Sequence, residues 1–478
     1  MSVTEPGTDP GVVATGAVHR ALDGTAGSPD DYVDRGLAHL WIHTRQFNDL
    51  AAAGEFLVIA EADGIWLTDD RGRRYIDAMS GLWVVNAGHG RRELAEVAAA
   101  QMSELAYANP FAYATRPAVD LASRLARLTP ASIERFYLVN TGSDAVDTSL
   151  RMAKQYHWNR GERRRFKVIS RNGSYHGMTA GALSVNRSPM VNKAPFEPLM
   201  PGSVGIPTVS CSRCPYEKTF PECDVFCARA LEQTILAEGA QTVAAFIAEP
   251  ISTAAGCHLP PAGYWRTIRE VCDRHGVLVI ADEVINGFGR TGRWFGIEHF
   301  GIEPDLMTMA KGLTSGYQPL AAVGVSGRVA EAFVGEDADT FVGGITFGAH
   351  PVACAVALAN LDIIERERLV DNAASTGAYL GERLVEMVAG RRVAAATRGI
   401  GLMHAVDVTR DSRTGEGFRP EDQAPKRLTA SLRDHGLLCR AGASISIAPP
   451  LVATRADCDE LVDRLDRALA AFESDLAR

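Results

Sequence analysis

Apolar residues in this chain fall either in short unbroken runs or at helical spacing, and the two kinds of stretch alternate. Residues 136–139, 166–170, 243–248, 277–281 and 306–310 are runs dominated by Val, Leu, Ile, Phe and Ala. Such runs mark strands covered on both faces. Helical periodicity occupies Arg92–Glu104, residues 117–128, where Val119, Leu121, Leu125 and Leu128 fall on related faces, a stretch starting near Asp144, and residues 352–366. Strands alternating with helices predict an α/β chain with a mostly parallel central sheet flanked by helices. From Glu55 to Trp83 the pattern changes to apolar/polar alternation, broken at Asp63-Gly64 and at Asp70-Arg71-Gly72, which predicts short antiparallel strands. The C-terminal third mixes a strand-like stretch, 397–408, with an amphipathic helix, 457–473, and reads as a smaller α+β domain. Residues 1–31, rich in Gly, Ala, Thr, Pro and Asp, read as a flexible tail or an arm ordered by a partner.

Composition narrows the function without naming it. A length of 478 residues suggests two to three units, and 46% hydrophobic with 22% charged residues is globular. The net charge of −9 and the lack of a basic stripe argue against nucleic acid as a partner. No apolar run is long enough for a membrane span, and Glu5 and Asp9 stand where a secretory leader would be apolar, so a cytoplasmic protein is expected. Of nine cysteines, Cys211, Cys214, Cys223 and Cys227 cluster. They read as a loop with reduced or locally bridged thiols or as a four-cysteine zinc site; the first reading is preferred, and no metal is expected.

The candidate chemistry sits where the apolar runs stop. The run 277–281 ends in Asp282 and Glu283, 306–310 ends in Lys311, and 243–248 ends in Glu249. In open α/β sheets ligands collect beyond the carboxyl ends of the strands. A lysine able to form a Schiff base and an acid able to pair with a pyridine nitrogen suggest pyridoxal phosphate (PLP), with Lys311 and Asp282 in those roles. Thr141-Gly142-Ser143, between a strand and a helix, is either an anion cradle at a helix N-terminus or an ordinary turn with Ser143 as N-cap. Tyr175-His176-Gly177 follows a strand, so Tyr175 either stacks on a planar ring or is a plain loop aromatic. Trp83, beside Ser80-Gly81-Leu82, is core or pocket wall. The stretch Gly287 to Gly292 satisfies G-x-G-x-x-G, but no helix pattern follows it, which argues against a dinucleotide site.

Together NTGSDAVDTSLRMAK, SYHG, AFIAEP, IADEVINGFGRTG, AKGLTSGYQPLAAV and ITFGAHPVACA resemble, in order and spacing, the class III (ω-amino acid type) PLP-dependent aminotransferases of fold type I, from about Leu40 to the C-terminus. The resemblance implies a large PLP-binding domain, 88–355, and a small domain formed by 32–87 and 356–478. It implies that Lys311 and Asp282 are catalytic and that Gly142 and Ser143 hold the phosphate. Tyr175 and Val284 would cover the two ring faces, Thr346 would reach the phosphate of the neighbouring subunit, and His176, Gly177 and Glu249 would complete the cofactor set. A homodimer with composite sites follows.

Two positions bear on substrate. Ile285 and Ser446 stand where enzymes of GABA and ornithine carry glutamine and arginine, which puts a switching role for Glu249 in doubt. Arg440 and Trp83 resemble the mobile arginine and the pocket wall of amine:pyruvate and β-alanine:pyruvate transaminases, and SGLWVVNAGHGR with the cysteine-containing insertion resembles the taurine:pyruvate branch. The implied reaction is amino transfer from a primary amine or ω-amino acid to an α-keto acid, pyruvate foremost, by a ping-pong route. The alternatives are a biosynthetic aminotransferase that aminates an aldehyde or ketone, and a decarboxylase or mutase on the same fold.

Overall fold

The unbroken apolar runs become the interior of a seven-stranded sheet in the computed structural model, which describes residues 28–52 and 56–476. Its strands are β1 (Ile133–Val139), β2 (Lys167–Arg171), β3 (Ser203–Ile206), β4 (Val243–Ala248), β5 (Leu278–Asp282), β6 (Leu306–Met309) and β7 (Ala321–Ser326). The spatial order is β1-β7-β6-β5-β4-β2-β3. Only β7 runs against its neighbours, β1 and β6; the other pairs are parallel. Side chains alternate between faces along a strand, and both faces of β4 are covered. Val243, Phe246 and Ala248 belong to one apolar cluster, Ala245 and Ile247 to another. That double coverage is why the run shows no polar alternation.

The helices follow the 3.6-residue pattern with small shifts. Helix α1 (Gly142–Asn159) starts two residues before the expected Asp144, because Thr141 and not Ser143 is its N-cap. Thr141 Oγ1 accepts from Asp144 N (3.1 Å) and Asp144 Oδ2 accepts from Thr141 N (2.9 Å). This reciprocal cap satisfies two backbone donors and leaves Ser143 inside the first turn. Helices α2 (Tyr264–His275), α3 (Pro351–Arg366), α4 (Leu369–Ala389) and α5 (Arg455–Leu476) complete the long elements used below. The helix Arg116–Leu128 buries Leu121 and Leu125 as expected but exposes Val119. No helix among the described residues is long and apolar enough to cross a membrane.

The described residues fall into two compact units, one within 1–62 and 67–74 and the other comprising 63–66 and 75 onward. Most of the expected tail, 1–31, lies outside the described residues; from Ser28 the chain enters the helix Pro29–His39, with Ser28 Oγ accepting from Asp31 N. In the second unit Ile76 and Asp77 pair in parallel with Leu437 and Leu438. The stretch read as one strand, 397–408, is two: β8 (Ala394–Gly399) and β9 (His404–Val408) pair antiparallel across a tight turn. They form a sheet with β10 (Arg440–Ala441) and β11 (Ser444–Ile447) in the order β8-β9-β11-β10.

That turn is also why the strand breaks. Gly401 adopts φ +56 and its backbone presses on Gly377 of α4 so closely that a Cβ at 377 would lie 2.0 Å from the Gly401 carbonyl oxygen. An alanine in a helix interior normally gains about 1 kcal/mol over glycine. Here the clash is with backbone that cannot rotate away, so Gly377→Ala is expected to lose about 3 kcal/mol of stability. Gly381→Ala, facing only His404 Cε1 at 3.1 Å, is the matched control. Urea midpoints of the two variants check the difference.

Candidate active site

Asp282, Lys311 and Glu249 come together at the carboxyl ends of three adjacent central strands, β5, β6 and β4. Opposite Asp282, the last residue of β5, stands Thr308 of β6, and Thr308 Oγ1 donates to Asp282 Oδ1 (2.9 Å). The other carboxylate oxygen accepts from His176 Nδ1 (2.6 Å). His176 Nε2 is buried and has no hydrogen-bond partner. A buried carboxylate fixed from two sides keeps a single orientation.

Lys311 follows β6 at the head of a short 3-10 turn, with φ +47. Its amine stands over the Trp83 ring, 5.5 Å from the centroid. Burial lowers the amine to a pKa of about 8; Asp282 opposes that shift, while Arg440 and Arg290 add to it. A lysine of this kind is a nucleophile near neutrality, where an exposed one is almost wholly protonated.

Gly142 and Ser143 form the first turn of α1, where backbone N–H groups lack helical acceptors. A Cβ on Gly142 would come within 2.9 Å of Val284 Cγ1, so glycine is required for the turn to lie against Val284. Gly177, at φ +120, packs as tightly on Ser143: a Cβ there would sit 2.3 Å from Ser143 Oγ. Ser143 Oγ also accepts from Met178 N (3.0 Å). Tyr175 is half-buried; burial raises its phenol pKa, with Arg440 pulling the other way. Its backbone N–H donates to Glu249 Oε1 (3.3 Å). Glu249 is buried and ion-paired with Arg171 (3.5 Å). Thr346 is placed differently. It is exposed, and its carbonyl accepts from Tyr107 Oη (2.9 Å).

Trp83 is only 4% exposed, yet it is more than core filling. Lys311 lies over its ring, and so does the Arg440 guanidinium, 5.2 Å from the centroid. Its Nε1–H is buried without an acceptor. Burial lowers the Arg440 pKa, and Arg440 has no ion-pair partner among the described residues.

Pattern reading missed Thr308 and Arg290. Thr308 carries no signal of its own, because only the β5–β6 register puts it beside Asp282. Arg290 does carry one, as a charge inside an otherwise apolar glycine turn. It is fully buried: Nη1 donates to the carbonyls of Leu402 (2.9 Å) and Pro449 (2.6 Å), and Nη2 to Ser80 Oγ (3.0 Å) and Asn86 Oδ1 (2.8 Å). The glycine turn that mimics a nucleotide motif thus holds the loop bearing Trp83 in place. Burial pulls the Arg290 pKa down to about 9, against the effect of Asp77.

Known proteins resemble this chain along most of its length. The family model described as aminotransferase class-III matches residues 50–469. A diaminobutyrate–2-oxoglutarate transaminase of Halomonas elongata is 39% identical over 92% of this chain and 95% of its own length. A putrescine–pyruvate aminotransferase of Pseudomonas aeruginosa is 38% identical over 87% of this chain and 90% of its own. Among solved structures, an (S)-enantioselective omega-transaminase from Thermomicrobium roseum superposes with a TM-score of 0.89 at 40% identity, covering 94% of this chain and all of the other.

Proposed function

Since the chain belongs to the class III aminotransferases, which are PLP-dependent transaminases, we propose that it transfers an amino group from a primary amine or ω-amino acid to a monocarboxylic α-keto acid, pyruvate foremost. The two half-reactions share one site, and the donor's product leaves before the acceptor binds. The residues present fit the cofactor: a lysine lowered toward neutrality, a carboxylate fixed by two neighbours, and a glycine turn at a helix N-terminus are what an aldehyde, a pyridine nitrogen and a phosphate require. When bound, PLP supplies an electron sink that stabilises the substrate carbon after it loses its proton.

The chain's own groups supply the rest. Lys311 would hold the cofactor, and its amine would carry the proton to and from the substrate carbon. Asp282 would keep positive charge on the pyridine nitrogen, and His176 and Thr308 hold its carboxylate in position. Gly142 and Ser143 would receive the phosphate, and Tyr175 and Val284 would cover the ring. Glu249, already paired with Arg171, supports Tyr175 through its backbone.

The observation that carries the acceptor is Arg440, a half-buried guanidinium without an ion-pair partner among the described residues, on the same indole as Lys311. One such fork suits one carboxylate, whereas 2-oxoglutarate brings a second. Arg440→Ala is therefore expected to lower kcat/KM for pyruvate and for carboxylated donors by about 10- to 100-fold, the loss of a charged hydrogen bond. Single-turnover amination with an uncharged alkyl amine should change by no more than a few-fold. Equal losses for both classes, or a preference of the wild type for 2-oxoglutarate, would refute this assignment.

We further propose a homodimer in which Thr346 of each subunit serves the other's site. Three large apolar side chains near it, Phe111 (65% exposed), Val342 (84%) and Phe347 (60%), support an interface at this surface.

A further inference from the structure

Residues 207–225, between β3 and the helix Phe226–Glu238, contain no strand or helix. Loops of this length inside a folded unit are uncommon and need something to hold them. Here Tyr216 and Phe226 meet edge to face at 5.1 Å and Lys218 lies over the Phe226 ring at 4.9 Å. Glu217, Asp224 and Val225 are forced to positive φ, between +45 and +54, which is costly for a β-branched residue such as Val225. At the centre is a small cavity of about 20 Å³ that all four clustered cysteines line. It has room for a single water and for no organic ligand.

We propose that this cavity is a disulfide-forming site, entered through the exposed thiol of Cys211, which exchanges with a small-molecule disulfide and then pairs with Cys223 or Cys227 across the cavity. All nine cysteines are free thiols in the structure, so the described state is the reduced one. No group of three or more His, Cys, Asp or Glu side chains among the described residues is placed to hold a metal ion. Cys211 is exposed, whereas Cys214, Cys223 and Cys227 are partly covered, so an oxidant meets Cys211 first. In the first step the Cys211 thiolate attacks one sulfur of the small disulfide and expels a thiolate. The second protein thiolate then attacks the Cys211 sulfur and expels the other small thiolate. The two cysteines lose two electrons and two protons, and the small disulfide is reduced to two thiols.

The electrostatics set the pace. Burial, then the Cys223 and Cys214 thiols, raise the Cys211 pKa; burial with the Cys211, Cys223 and Cys214 thiols lifts Cys227 to about 11. Exchange is therefore slow at neutral pH and quickens as pH rises, the behaviour of a structural staple and not of a fast peroxide sensor. The staple closes a loop that otherwise relies on strained backbone and two aromatic contacts.

The test incubates holoenzyme with excess oxidised glutathione at mildly alkaline pH and reads intact mass, peptide mapping and limited proteolysis. Expected are a mass lower by two hydrogens, a Cys211 peptide linked to the Cys223 or Cys227 peptide, and cleavage within 207–225 slowed about tenfold. Cys211→Ser, a change at an exposed position, should abolish both the mass loss and the protection. Four thiols still free after incubation, a mass loss that persists in Cys211→Ser, or stoichiometric zinc in protein purified without chelator would each overturn the proposal.

Discussion

Lys311→Ala is expected to lower kcat by at least about 10⁴-fold, since it removes both the covalent hold on the cofactor and the group that moves the substrate proton. The wild-type protein should be yellow, and borohydride should fix the cofactor on the peptide containing Lys311. The variant should bind PLP without that covalent mark. Added primary amines of small size should restore part of the activity, because they can act as proton carriers where the lysine stood. The wild type has a further signature. An ordinary lysine has a pKa of about 10.4 and is under about 1% neutral at pH 8, whereas burial brings Lys311 to about 8. The neutral amine is the form that captures an aldehyde, so the rate at which apoenzyme takes up PLP should rise with pH to a midpoint near 8 and level off above it. Uptake that keeps rising toward pH 10, or full activity in Lys311→Ala, would remove Lys311 from the centre of the site.

Asp282→Asn should come second in effect, with kcat down by about 10²- to 10³-fold, the cost of losing one preorganised charge at a developing charge. The amide still fits between Thr308 and His176, but it cannot keep positive charge on the pyridine nitrogen. It also presents an N–H₂ to groups that now donate to a carboxylate, Thr308 Oγ1 and His176 Nδ1. The two defects separate experimentally. Lys311 is intact in this variant, so covalent attachment and yellow colour should survive while the half-reaction with donor slows. His176→Ala leaves the charge in place and loosens it; it should cost about tenfold and alter the pH profile, whereas a purely structural role would leave that profile unmoved. Asp282→Asn with wild-type turnover would refute its assignment.

Short-range pattern was enough to determine the parallel sheet, because β4, β5 and β6 are buried on both faces and so must be apolar at consecutive positions. It also marked the charged residues at the strand ends. Asp282, Lys311 and Glu249 interrupt apolar runs at points where burial alone would not place a charge, and the glycines at 142 and 177 stand where a Cβ would strike Val284 or Ser143. Helix boundaries were legible to within a few residues, and α1 starts earlier than its apolar pattern because of the Thr141–Asp144 cap.

Tertiary structure alone decided three things. Thr308 became a partner of Asp282 through strand register, which depends on contacts between segments 26 residues apart and leaves no local mark. Arg290 became the clamp of the Trp83 loop because acceptors from residues 80, 86, 402 and 449 converge on one guanidinium. The stretch 397–408 broke into two strands because the backbone of Gly401 must pass over Gly377. In each case the deciding interaction joins residues distant in the chain, and its energy depends on their separation in space, which local pattern does not encode. The cofactor chemistry could be read in order along the chain, while the positioning of that chemistry was settled by packing.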